Sequence, residues 1–132
     1  MKNSEWLTGK VIKGKKVGIK IGYPTINIDK PDLMQDWETG VYACWVRVFN
    51  KIYKSVLFFG PRLIHQEYTN IIEIFIFDFD REVYGKNVDF LPIKYIRAPI
   101  KFKDIKNLKK QLLKDCKTAQ KMLELIKPAD VA

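Results

Sequence analysis

The segment Ile71-Ile72-Glu73-Ile74-Phe75-Ile76-Phe77-Asp78-Phe79 sets a carboxylate inside an otherwise apolar run. Alternate residues of a strand share a face. Glu73 is therefore expected beside Ile71, Phe75, Phe77 and Phe79, with Ile72, Ile74, Ile76 and Asp78 opposite. A carboxylate among aromatic rings loses hydration, which raises its pKa and makes it a better proton acceptor. A glutamate at a solvated strand end, or one paired with a lysine, is the alternative reading of the same pattern. Upstream, Gly22-Tyr23-Pro24-Thr25-Ile26-Asn27 puts Thr25 and Asn27 on one side of an extended segment. A hydroxyl and an amide oxygen are hard neutral ligands, suited to Mg²⁺ that already carries phosphate oxygens. Gly14, Gly18 and Gly22, with Lys15, Lys16 and Lys20 among them, would let backbone N–H groups approach those phosphates. Threonine and asparagine near a proline are also common turn formers.

The elements that must position these groups read as many strands followed by one long helix. Trp6 to Lys13 alternates loosely and is a first strand, and Tyr23 to Ile28 is extended because Pro24 disfavours helix. Asp29 to Thr39 is a loop ending at Gly40. Val41–Phe49 and Ile52–Phe59 are strands rich in β-branched and aromatic residues, joined as a hairpin through Asn50-Lys51. Ile71 to Phe79 is the strongest strand, and Asp80 to Gly85 a turn. Asn87 to Arg97 is a further strand, with Pro92 marking an edge or a bulge. Asp104 can cap a helix in which Ile105, Leu108, Leu112, Cys116, Ala119, Met122 and Ile126 form the apolar stripe. Strands first and a helix last predict an antiparallel barrel or sandwich with a helix packed on it.

Composition narrows the function. The chain has 132 residues, 47% of them hydrophobic, enough for one domain with a real core. Lys plus Arg number 24 against 15 Asp plus Glu, a net charge of +9 that favours anionic partners without choosing among them. Cys44 and Cys116 form no CxxC pattern and His65 is the only histidine, which argues against a disulfide scaffold, a zinc ribbon and His-rich metal sites. No secretory leader or membrane-length apolar run is visible, so a cytoplasmic protein with reduced thiols is expected. Neither GxxxxGK[ST] nor a GxGxxG opening a helix is present, so nucleotide binding would need an unusual scaffold.

The ordered set Gly14…Gly18…Gly22-Tyr23-Pro24-Thr25-Ile26-Asn27, Gly40-Val41-Tyr42, Glu73 to Phe79, Tyr84-Gly85-Lys86, then Arg97 and Lys101-Phe102 resembles the riboflavin kinase family. The resemblance runs from about Gly9 to the helix containing Leu125. It implies a six-stranded antiparallel Greek-key β-barrel with a C-terminal helix: a single domain over 1–132, the barrel over about 5–103 and the helix over about 104–127. It also implies transfer of the γ-phosphoryl group of ATP to the 5′-hydroxyl of riboflavin, giving FMN and ADP. By the same resemblance Thr25 and Asn27 hold Mg²⁺ and the nucleotide phosphates, Glu73 is the catalytic base, and Gly14, Lys20 and Tyr84 belong to the ATP site. Arg97, Lys101 and Phe102 belong to the segment that closes over the flavin.

Several positions depart from the family pattern. Ile19 stands where a basic residue is usual, with Lys20 the adjacent stand-in. Ile26 replaces the alanine after Thr25, Phe75 replaces a histidine, and Pro99 followed by Ile100 replaces a glutamate. Gly60-Pro61-Arg62-Leu63 stands where the family often has Pro-Thr. The adenylyltransferase motif found upstream in most bacterial members is absent from this sequence, and a monomer is expected. The competing reading is a basic barrel that binds single-stranded nucleic acid through exposed aromatics such as Tyr42, Trp45 and Tyr53. The lysines, however, cluster on the helix and not on a strand face, and that reading leaves Glu73 and the Pro-Thr-Ile-Asn segment unexplained.

Overall fold

The computed structural model describes residues 5–13 and 23–128. Among the described residues six strands, β1 (Leu7–Ile12), β2 (Thr25–Ile28), β3 (Gly40–Val48), β4 (Lys51–Gly60), β5 (Ile71–Ile76) and β6 (Asn87–Arg97), precede one α-helix, α1 (Ile105–Leu125). They close into an antiparallel barrel in the order β1-β2-β5-β4-β3-β6, with β6 returning to pair β1. The expected barrel and terminal helix are both present.

Alternation explains the two layers of core. Ile72, Ile74 and Ile76 of β5 point into the barrel with Leu57, Phe90 and Val46. Phe75 points outward and is covered, together with Val41, Ala43, Trp45 and Val56, by Leu112, Cys116, Ala119 and Leu123 of α1. Strand β3 is therefore buried on both faces over most of its length. The helix begins where expected: Asp104 accepts a hydrogen bond from the Asn107 N–H at 2.8 Å. Burying a side chain such as Leu123 stabilises by roughly 1.5–3 kcal/mol, which is how an amphipathic helix is held on a barrel. Ile105, expected in the buried stripe, is instead 43% exposed.

Two local expectations need correction, and the choice left open at Pro92 is decided. The β3–β4 turn is centred on Phe49-Asn50, one residue earlier than the spacing suggests, and Val48 pairs with Lys51. Both turn residues have positive φ, 52° and 60°, as a tight two-residue hairpin requires. Arg81 lies 3.6 Å from the Phe49 ring centroid and covers that ring. Strand β5 stops at Ile76, because Asp78 adopts φ 57° and breaks the alternation. Phe79 consequently belongs to the barrel interior, not to the face of Glu73. Pro92 sits in no edge strand; the β3–β6 register slips between Ala43 and Cys44, so the proline marks a bulge.

The aromatic platform imagined for nucleic acid is not on the surface. Tyr42 is 2% exposed and Trp45 is 6% exposed, under the helix, where its indole N–H donates to the Ile126 carbonyl. Tyr53 is half-buried against Phe79.

Candidate active site

Glu73 occupies the middle of β5 with Asn27 directly opposite on β2 and Phe58 directly opposite on β4. Pairing through these backbone ladders sets the three side chains on the outer surface of the barrel. Thr25 lies two residues from Asn27 on the same strand, opposite Phe75, and Ile26 between them is buried inside. The expected common face of Thr25 and Asn27 is thus present.

Arg62 joins this row from the connection after β4. Its Nη2 donates to Asn27 Oδ1 at 3.0 Å and stands 3.8 Å from Glu73 Oε2. The Glu73 side chain is 22% exposed, and loss of hydration pushes its pKa above the usual carboxylate value, with the Arg62 charge opposing that rise. Desolvation is the larger effect, as expected for a carboxylate set beside aromatic rings.

The carboxylate lines an apolar cleft of about 700 Å³, counting the space at its open mouth. Phe58 and Phe75 form its barrel wall, Leu108 and Leu112 of α1 face them, Ile100 and Phe102 come from the segment between β6 and α1, and Pro61, Leu63 and Ile64 close the other side. A cleft that is mostly apolar with a few convergent polar groups suits the face of a planar ligand. The polar groups are Arg62, Glu73 and Arg97.

Arg97 lines the cleft as expected, but its guanidinium is committed to the helix. Nε lies 3.0 and 3.1 Å from the two carboxylate oxygens of Asp115, and Nη2 lies 2.7 Å from Oδ2. Gln111 adds a bond to Asp115 Oδ1 at 3.1 Å. Asp115 is 1% exposed, so this is a buried, fork-shaped ion pair tying β6 to α1. The Arg97 guanidinium also sits 5.9 Å from the centroid of Phe102.

The structure thus brings Glu73, Arg97 and Phe102 to one cleft, with Asn27 linked to it through Arg62 and Thr25 on the adjoining strand. Lys101 is exposed and does not line the cleft. Tyr84 is 48% exposed on the β5–β6 connection, with Lys13 over its ring at 5.5 Å. That connection is bonded to β1, Gly85 N–H to the Val11 carbonyl at 2.8 Å and Val11 N–H to the Lys86 carbonyl at 2.9 Å. Since Ile12 pairs with Asn27, β1 separates Tyr84 from the Asn27 strand. Gly14 and Lys20, with the rest of the glycine- and lysine-rich stretch, lie outside the described residues.

Sequence reasoning missed Arg62, Phe58 and Asp115. Arg62 carried a signal, a cation set between a Gly-Pro break and an apolar pair. Asp115 carried a clearer one, an acid three residues after Leu112 and so on the apolar stripe of the helix.

The profile of the Flavokinase family, described as riboflavin kinase, matches residues 2–123. The RNA-binding riboflavin kinase RibR of Bacillus subtilis is 32% identical over 121 residues, covering 91% of this chain and 52% of that protein. The bifunctional riboflavin kinase/FMN adenylyltransferase of Haemophilus influenzae is 36% identical over 113 residues, covering 85% of this chain and 36% of that protein. The chain therefore spans about half or less of the length of these curated relatives. Among solved structures, a protein described as a macrolide-efflux protein from Streptococcus pneumoniae superposes with a TM-score of 0.68 at 27% identity, over 86% of this chain and 37% of that one. The riboflavin kinase of Trypanosoma brucei shares the fold, with a TM-score of 0.63 at 20% identity, over 90% of this chain and 79% of that one. With its barrel, its Pro-Thr-Ile-Asn strand and the facing glutamate, the chain belongs to the riboflavin kinase family.

Proposed function

We propose that this protein transfers the γ-phosphoryl group of ATP to the 5′-hydroxyl of riboflavin, releasing FMN and ADP. The observation that carries this reading is the placement of Glu73: a desolvated carboxylate at an apolar cleft, with Asn27 opposite it. The rings of Phe58, Phe75 and Phe102 offer apolar surface to a flavin. Glu73 accepts the proton of the flavin hydroxyl as its oxygen attacks phosphorus, and the desolvation that raises its pKa makes it a better proton acceptor.

Thr25 and Asn27 would hold the divalent metal that accompanies the nucleotide. The donor set fits: both ligands are neutral oxygens, and an amide oxygen has two lone pairs, of which Arg62 occupies one. Among the described residues no cluster of three or more His, Cys, Asp or Glu side chains could hold a cation unaided. Such a site takes an ion that brings phosphate oxygens with it. When bound, the metal supplies charge neutralisation at the phosphates. Tyr84 is assigned to the nucleotide and the 97–102 segment to the flavin, with Arg97 acting through its hold on the helix. The proposed location is the cytoplasm, where ATP is available and the buried free thiols Cys44 and Cys116 stay reduced.

The test is chromatographic detection of FMN formed from riboflavin and MgATP by purified protein. Folded protein that yields no FMN with several nucleotides and metals would overturn the kinase reading.

A further inference from the structure

Arg62 is 10% exposed in a cleft whose walls are otherwise mainly apolar. A guanidinium so placed loses hydration and needs fixed partners. The Nη2 atom serves two: Asn27 Oδ1 at 3.0 Å and Glu73 Oε2 at 3.8 Å. The first is a hydrogen bond, while the second is an ion-pair separation too long for one. Arg62 therefore anchors on the amide and stands beside the carboxylate, leaving the glutamate lone pairs open to a proton.

The backbone that carries Arg62 is itself held. Gly60, at φ +155°, turns the chain out of β4, and a Cβ there would approach the Phe58 ring at 3.1 Å. The following turn is closed by the Gln66 N–H on the Leu63 carbonyl at 3.0 Å and the Glu67 N–H on the Arg62 carbonyl at 3.2 Å. No side-chain hydrogen bond between Asn27 and Glu73 themselves is found among the described residues. Their side chains are joined through the guanidinium.

Resting on the riboflavin kinase reading, we infer that Arg62 is a positioning residue. By tying Asn27 on β2 and Glu73 on β5 to one guanidinium, it holds the metal–phosphate side and the flavin-hydroxyl side of the site in a single register. Reacting groups tolerate little misplacement, since an error of about 1 Å can cost roughly 10²-fold in rate.

The experiment compares Arg62→Ala, Arg62→Lys, Asn27→Ala and the Arg62→Ala/Asn27→Ala pair in the full chain. It measures kcat, both KM values and the melting temperature. Arg62→Ala should lower kcat roughly 10–100-fold, the usual cost of losing a group that orients an active-site ligand. KM for riboflavin should change little, any fall in melting temperature should leave the protein folded at the assay temperature, and millimolar guanidinium should restore part of the rate. The double variant should be no slower than the slower single variant, because both remove the same tie. Arg62→Lys keeps the charge without the fork and should retain partial activity, which also serves if Arg62→Ala does not fold. Wild-type kcat in both Arg62 variants, a loss that tracks melting temperature, or a raised KM for MgATP at unchanged kcat would each overturn the inference. Multiplying effects of the two single changes would do so as well. If the wild-type protein forms no FMN, the kinase reading fails, and urea midpoints of the same variants then decide the tie. Non-additive losses uphold it, and additive losses overturn it.

Discussion

Arg97, at the end of β6, grips Asp115 on α1 through both Nε and Nη2, the shortest contact being 2.7 Å. Arg97 is one of the residues that line the cleft, so the pair ties the cleft wall to the helix. Arg97, expected in the segment that closes over the flavin, thus lines the cleft while its guanidinium is held by the helix, 5.9 Å from the Phe102 ring centroid.

Removing one partner of a buried pair leaves an uncompensated charge, which typically costs about 3–5 kcal/mol. Asp115→Ala should therefore lower the urea midpoint sharply and weaken riboflavin binding. An unchanged midpoint would show that Arg97 finds water or another acceptor and that the pair is not what fastens the helix.

Glu73→Gln keeps the shape of the side chain and removes the base. General-base catalysis is worth roughly 10²–10⁴-fold, and a fall in kcat of that size is expected, with riboflavin and ATP affinities nearly preserved. Near-wild-type kcat in a stable Glu73→Gln protein would exclude Glu73 from the mechanism.

The same residue makes a pH prediction. Its pKa is raised in the folded protein, so the native state binds more protons than the unfolded chain as pH rises from the usual carboxylate value to the raised one. Stability should fall as pH rises through that window. Glu73→Gln should remove this component, so its melting temperature relative to wild type should increase as pH rises through that window. Activity runs the other way, since the base must be ionised, and kcat should rise across the same window. A wild-type protein and a Glu73→Gln protein with parallel stability–pH curves would contradict the assignment of the shift.

Thr25→Ala removes one of the two neutral oxygens proposed to meet the metal. The concentrations of Mg²⁺ and ATP needed for half-maximal rate should rise while riboflavin affinity changes less. Titration of Mg²⁺ against rate checks this, and an unaltered metal dependence would remove Thr25 from the ligand set.

Burial pushes the Cys44 and Cys116 thiols up to about 12. Both are free and buried, so neither should react with a thiol reagent at pH 8 until the protein unfolds. Rapid labelling of either under native conditions would show that α1 or the barrel opens readily.

Local patterns decided much of this protein before any fold was considered. The alternation of isoleucine and phenylalanine around Glu73 already divided β5 into an inner and an outer face, and the stripe from Leu108 to Met122 with Asp104 ahead of it already specified a capped helix. These follow from short-range geometry, in which each residue's direction depends only on its neighbours. The ordered motifs likewise sufficed to point to the family. Chain closure decided the rest. Asn27 faces Glu73 only because β2 pairs with β5 across an intervening hairpin, and Arg62 reaches both only because the β4 exit folds back over them. Whether Trp45 was a surface platform or a buried anchor depended on where α1 lay, since an alternating strand does not say what covers its outer face. Asp115 carried a position on the helix but no partner, because an ion pair between β6 and α1 is a distance in space that sequence spacing does not measure.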